Sequence, residues 1–165
     1  MDHDLELALA ELHPMSWRWA LGLCGGRRSE AEDVLQTAYL KVIDGRARFA
    51  GQSSLKTWLF AVIRRTAAER RRTAWLRDLL LLRWRTPEPA PPTPIEEVDR
   101  AGQRARVRAA LGRLPRRQRE VIELVFFHDL SIAQAGEVMA VTLGSARQHY
   151  ERGKQRLAVL LAEGA

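Results

Sequence analysis

Residues 131–154 read SIAQAGEVMAVTLGSARQHYERGK, and this stretch decides the fold. Ser131 with Gln134 three residues on is a capping box, in which each side chain satisfies a backbone N–H of the other residue, so a helix starts here. Ile132, Ala135, Val138 and Met139 recur at helical spacing as its inward face. The pattern breaks over 140–142, and a second helix runs to about Leu161 with Ala146, Tyr150, Gly153, Leu157 and Leu160 on its buried stripe. A short helix, a tight break and a longer helix with a basic outer face form a helix-turn-helix.

Opposite that stripe stand Ser145, Arg147, Gln148, Glu151, Arg152 and Lys154. These types suit base edges: Arg pairs with guanine, Gln with adenine, and a carboxylate accepts from cytosine. Periodicity supports a mixed-charge solvent face equally well, with Arg147 or Gln155 as neighbours for Glu151.

Upstream, one helix covers roughly 100–112, and Pro115 opens another whose apolar residues are Val121, Ile122, Leu124 and Val125. Before them lies TPEPAPPTPIEEVD, with Pro87, Pro89, Pro91, Pro92 and Pro94, a density that favours an extended linker over 86–98. Net charge is +5 over 1–85, −3 over 86–98 and +5 over 99–165. Two basic modules thus flank an acidic tether.

The first module is also helical. Leu5, Leu9 and Leu12 form one stripe, Trp17, Leu21 and Cys24 another after Pro14, and Ala31, Leu35, Ala38 and Val42 a third. Ser29 and Glu32 predict a capping box for the third helix, which should stop near Gly45. Ser53 or Ser54 caps a fourth, whose apolar face is Leu55, Trp58, Leu59, Val62 and Ile63. Farther along that helix Arg64 and Arg71, and likewise Arg65 and Arg72, are seven residues apart, which predicts one arginine face. Phe49, Phe60 and Trp75 are candidate stacking platforms, a combination that suits single-stranded nucleic acid; Trp58 belongs to the core. Residues 77–85, RDLLLLRWR, are expected to pack on this module as a terminal helix.

The fold class is therefore all-α, two small helical domains joined by a Pro-rich extended linker. With 27 Lys and Arg against 20 Asp and Glu, net charge +7 and a pI near 10.6, a polyanion is the default partner. The lone Cys24 excludes an internal disulfide, and His3, His13, His128 and His149 are too dispersed for a zinc site, so no metal or cofactor is expected. No apolar run reaches the roughly 18 residues of a membrane span, and the acidic first residues are unlike a signal peptide, which points to the cytoplasm. The short motifs of phosphate loops, zinc proteases and serine hydrolases are lacking, and Glu32 and Asp33 diverge by about 100° on a helix, so an enzyme is not expected.

These residues carry a resemblance. AEDVLQTAYLKV at 31–42, F-x-G-x-x-S-L-x-T-W-L at Phe49 to Leu59, L-P-x-x-Q-R at Leu114 to Arg119, L-S at Leu130, and G-S-A-R-x-x-Y-x-R-G-K at Gly144 to Lys154 resemble the extracytoplasmic-function (ECF) group of bacterial sigma factors. The resemblance implies a σ2-like domain over 1–85 that binds the β′ clamp helices of core RNA polymerase and opens the minus-ten element. It also implies a σ4-like domain over 99–165 that binds the β flap and reads the minus-thirty-five element. The linker would thread toward the RNA exit path, and an anti-sigma protein is a candidate further partner. Asp33 and Gln36 fall on the family's polymerase-binding positions, with Thr37 where an acid is usual. Arg65 replaces a base-capturing Asn, Ala135-Gly136 replaces Ile-Ala, and Ala140 stands where a turn glycine is typical, which predicts a looser turn. The rival classes are a stand-alone dimeric helix-turn-helix regulator, which has no role for the arginine face or the Asp33/Gln36 pattern, and a helical protein that binds RNA or membrane by charge alone.

Overall fold

The computed structural model describes residues 3–81 and 100–163; the linker over 86–98 lies outside them. Seven helices and no strand occur among the described residues: α1 (His3–Leu23), α2 (Arg28–Ile43), α3 (Leu55–Leu81), α4 (Arg100–Gly112), α5 (Arg116–Phe126), α6 (Ile132–Met139) and α7 (Leu143–Glu163). They divide into two compact units. The first draws on Met1–Gln52 and Val62–Pro94, the second on Ser53–Ala61 and Ile95–Ala165.

In the first unit α1 packs along α2. The α2 stripe is buried as its spacing requires, with Ala31, Val34, Leu35, Ala38 and Val42 inside, and the chain leaves the helix through Gly45 at φ +70°. The start differs from expectation. Arg27 is the N-cap and no side chain caps the helix; Arg27 Nε pairs with Glu30 at 2.6 Å instead of Ser29 boxing with Glu32. Two residues of register separate the two arrangements, and the charged pair lies across the first turn, where the helix dipole favours an acid.

Helix α1 runs unbroken through Pro14. An interior proline costs about 3 kcal/mol of helix propensity, and packing on α2 outweighs it. As a result the inward residues beyond the proline are Trp19, Ala20, Leu23 and Cys24. The expected Trp17/Leu21/Cys24 stripe is thus corrected: Trp17 and Leu21 are only half-buried.

Ser54 caps α3, its Oγ accepting from Thr57 N at 3.1 Å. Within this unit Lys41 bonds Thr66 and Glu69, and Arg70 pairs with Asp33 at 2.6 Å, which joins α3 to α2. Of the stretch 77–85, residues 82–85 lie outside the described residues; within the described part Leu79 (52% exposed) and Leu80 (80%) are not packed on the unit, contrary to expectation. The run from Thr66 to Leu81 contains no glycine or proline to end the helix, so α3 continues and carries them outward.

In the second unit α7 packs against α4, α5 and α6. Pro115 is the N-cap of α5, and Val121, Ile122 and Leu124 are buried. Glu120, 2% exposed, is held by Arg116 Nε at 2.9 Å. The first turns of α3 belong to this unit, where Phe60 meets the buried His128 ring edge-on with centroids 5.0 Å apart.

Candidate functional site

The helix-turn-helix is built by three local devices. The capping box at Ser131 and Gln134 forms in both directions, at 3.1 and 2.9 Å. Ala140 ends α6 in the left-handed region at φ 54°, ψ 47°, with Val141 N bonded to Gly136 O at 3.0 Å. The expected looser turn is therefore corrected: the turn is tight, and alanine takes the strained conformation that a glycine would adopt without cost. Thr142 starts α7, its Oγ1 accepting from Ser145 N at 3.2 Å and donating to Ser145 Oγ at 3.1 Å.

Close approach fixes α7 from below. A Cβ on Gly153 would lie 3.0 Å from Ile122 Cγ1 and 3.2 Å from the Gln118 carbonyl oxygen, so only glycine lets α7 lie this near α5. Ala146 and Gly153 are buried, which turns Arg147, Gln148, Glu151, Arg152 and Lys154 outward, with Ser145 half-buried in the cap. Glu151 pairs with Lys154 at 3.1 Å, neither with Arg147 nor with Gln155, and Lys154 also lies 4.7 Å from the Tyr150 ring centroid. Arg147, Gln148 and Arg152 make no hydrogen bond or ion pair among the described residues. Their side chains are therefore available to a partner, whereas Lys154 is held by Glu151.

On α3 the four arginines separate. Arg64 is buried at 9% exposure, and Arg71 Nη1 donates to the Leu23 carbonyl at 3.3 Å. Arg65 and Arg72 are exposed and without an ion pair among the described residues. The single arginine face is corrected accordingly: adjacent residues on a helix diverge by about 100°, so each seven-residue pair shares a direction but the two pairs do not. Of the aromatic platforms, Phe60 is fully buried, whereas Phe49 (39%) and Trp75 (61%) are exposed.

On α2, Asp33 and Gln36 are both exposed, and Asp33 carries the pair with Arg70. Beside them a groove between α1 and α2 is lined by His13, Trp17, Glu32, Leu35, Gln36 and Tyr39. His13 Nδ1 and Tyr39 Oη are 3.1 Å apart. Burial raises the Tyr39 phenol, so it remains protonated at neutral pH. The sequence signal for this groove was Trp17, whose exposure could not be told from core packing without the course of α1 through Pro14.

The architecture thus defines a two-module helical protein whose second module is a helix-turn-helix. Its segments match family models in the same order: sigma-70 region 2 over 9–77 and sigma-70 region 4 over 104–157. The ECF RNA polymerase sigma factor SigL of Mycobacterium tuberculosis is 30% identical over 153 residues, covering 89% of this chain and 82% of its own length. SigZ of Bacillus subtilis is 24% identical, covering 81% of this chain and 74% of its own. Two solved structures share the fold. The sigma factor RpoE of Bartonella quintana, in complex with the anti-sigma factor NepR, superposes with a TM-score of 0.78 at 23% identity over 98% of each chain. CnrH, in complex with the cytosolic domain of CnrY, gives 0.68 at 20% identity over 97% of this chain and 88% of its own. The chain belongs to the ECF RNA polymerase sigma factors. It is an alternative sigma factor that directs RNA polymerase to promoters. No helix among the described residues is long and apolar enough to cross a membrane.

Proposed function

We propose that residues 1–85 act as the σ2-like domain, 86–98 as the tether and 99–165 as the σ4-like domain of a non-catalytic initiation factor working in the cytoplasm. Asp33 and Gln36 on α2 engage the β′ clamp helices of core polymerase, and the second unit engages the β flap. Arg65 and Arg72 follow the backbone of the opened minus-ten strand, while Arg64 and Arg71 shape the helix that presents them. Arg147, Gln148 and Arg152 read or clamp the minus-thirty-five element, with Ser145, Glu151 and Lys154 orienting that set. An anti-sigma protein is a candidate further partner, by analogy with the complex of the Bartonella RpoE with NepR.

The observation that carries this reading is the α7 surface: Arg147, Gln148 and Arg152 are exposed and unpaired on a helix locked by Ala140, Thr142 and Gly153. Adding the chain to core polymerase and selecting promoters from a randomised upstream element tests it. Arg147→Ala should relax the preference at one base pair. An unchanged selected sequence removes Arg147 from the readers, and core polymerase that initiates without the chain removes the function. The stand-alone regulator is the second outcome of the same assay: it predicts selection of a palindrome with no polymerase present.

A further inference from the structure

We infer that Phe126, the last residue of α5, is a positioning residue for promoter binding: through the Tyr150 ring it sets the Lys154 ammonium as a clamp on a backbone phosphate of the minus-thirty-five element. This rests on the reading of α7 as the helix that meets that element. The Phe126 and Tyr150 rings are stacked, with centroids 6.0 Å apart and planes inclined by 20°. The half-buried Tyr150 ring in turn faces Lys154, whose Nζ is 4.7 Å from its centroid and 3.1 Å from Glu151 Oε1.

Each link has a physical reason. Positions 150 and 154 are one turn apart on α7, so the lysine stem runs past the ring and brings the ammonium over its electron-rich face. Glu151, three residues before Lys154, holds the same ammonium by charge. Phe126 braces the ring from a different helix, so the frame that holds Lys154 does not rest on α7 alone. A free lysine gives up its rotamer freedom when it binds; this one has given it up beforehand. Of its three N–H donors, Glu151 takes one and the ring face a second, which leaves the third for an acceptor. That acceptor is a phosphate. Lys154 lies nine residues, about 13 Å, along α7 from Ser145, and the N-terminal part of a reading helix reaches the bases while charge farther along meets the strand. Packing alone does not account for Phe126, which is 55% exposed and leaves more of its surface in water than against the protein.

Holoenzyme assembled from core polymerase and full-length variants tests this, by affinity for the promoter duplex that wild type selects, measured across a salt series, with the thermal midpoint as the check on folding. Lys154→Gln should weaken binding about tenfold at low salt and lower the slope of log affinity against log salt by about 1. Phe126→Ala should weaken binding about fivefold and lower the slope in the same direction. Phe126→Leu, which keeps apolar bulk without a ring, should do the same, and Phe126→Tyr should bind as wild type does. Introduced on top of Lys154→Gln, Phe126→Ala should add nothing. Base preference should stay unchanged in all of these, because a phosphate contact weakens every sequence alike. An unaltered slope in folded Phe126→Ala, an equal loss in the Lys154→Gln background, or no effect of Lys154→Gln overturns the inference and leaves the minus-thirty-five reading intact, since Arg147→Ala tests that reading separately. Wild-type affinity and base preference in Arg147→Ala, Lys154→Gln and Phe126→Ala alike overturn both.

Discussion

In the first unit charge is sorted by element. Helices α1 and α2 are acidic, whereas residues 62–81 of α3 carry six arginines against Glu69 and Asp78. In the second unit both signs share the exposed side of α7, and what is tightly specified is shape: a left-handed alanine, a two-way capping box and a glycine in contact with α5. On the proposed roles, the first unit separates a protein partner from nucleic acid by sign. The second must distinguish one duplex from another, which demands a helix held in one position.

The largest effect expected from breaking this contrast is in packing. Gly153→Val should cost about 3 kcal/mol by forcing α7 off α5, seen as a lowered thermal midpoint; an unchanged midpoint would show that the close approach is not limiting. Next is Glu123, a strongly shifted acid of the second unit. Burial raises the Glu123 carboxyl from 4.5 to about 7, with Arg119 opposing and Glu120 adding to the rise. The folded chain holds a proton that the unfolded chain releases, so this contribution is complete below pH 4.5 and is lost as pH rises through about 7. Between those limits wild type should lose about 2 kcal/mol relative to Glu123→Gln, and parallel stability curves would contradict it.

Charge rather than shape should govern the first unit. Removing Arg65 and Arg72 together should reduce the change in open-complex affinity between about 50 and 200 mM salt by roughly tenfold. Removing Arg64 and Arg71 should mainly lower the melting temperature. If both pairs alter salt dependence alike, the division of the arginines by burial has no functional meaning. The smallest effect has the opposite sign: Ala140→Gly should stabilise the second unit by about 1 kcal/mol, measured by denaturant midpoint, and destabilisation would mean that the methyl group makes contacts outweighing the strain.

Helix identity was legible because apolar spacing reports angle around an axis: the α2 stripe is buried as its spacing requires, and so are Ala135, Val138 and Met139 of α6, with Ile132 half-buried at its start. Which flank of a stripe is covered depends on the partner helix, and that information is tertiary. Trp19 rather than Trp17 enters the core because α1 continues past Pro14, and Arg64 turns inward while Arg65 does not. The outward set on α7 was legible because buried Ala146 and Gly153 leave it one direction to face. Ala140 showed where the turn falls, but whether the chain would relax or strain there depended on the bonds closing it.

The Asp33–Arg70 pair joins the acidic helix to the basic one, with both side chains about half exposed. A ligand that captures Asp33 releases the Arg70 cation, and a polyanion that captures Arg70 releases the Asp33 carboxylate. By reciprocity each event must favour the other by the same factor. An exposed pair is worth at most about 1 kcal/mol, so the factor is about fivefold. On the proposed reading, in which α2 meets polymerase and α3 lies along the opened strand, this contact would couple the two events by an amount too small to act as a switch but sufficient to bias their order.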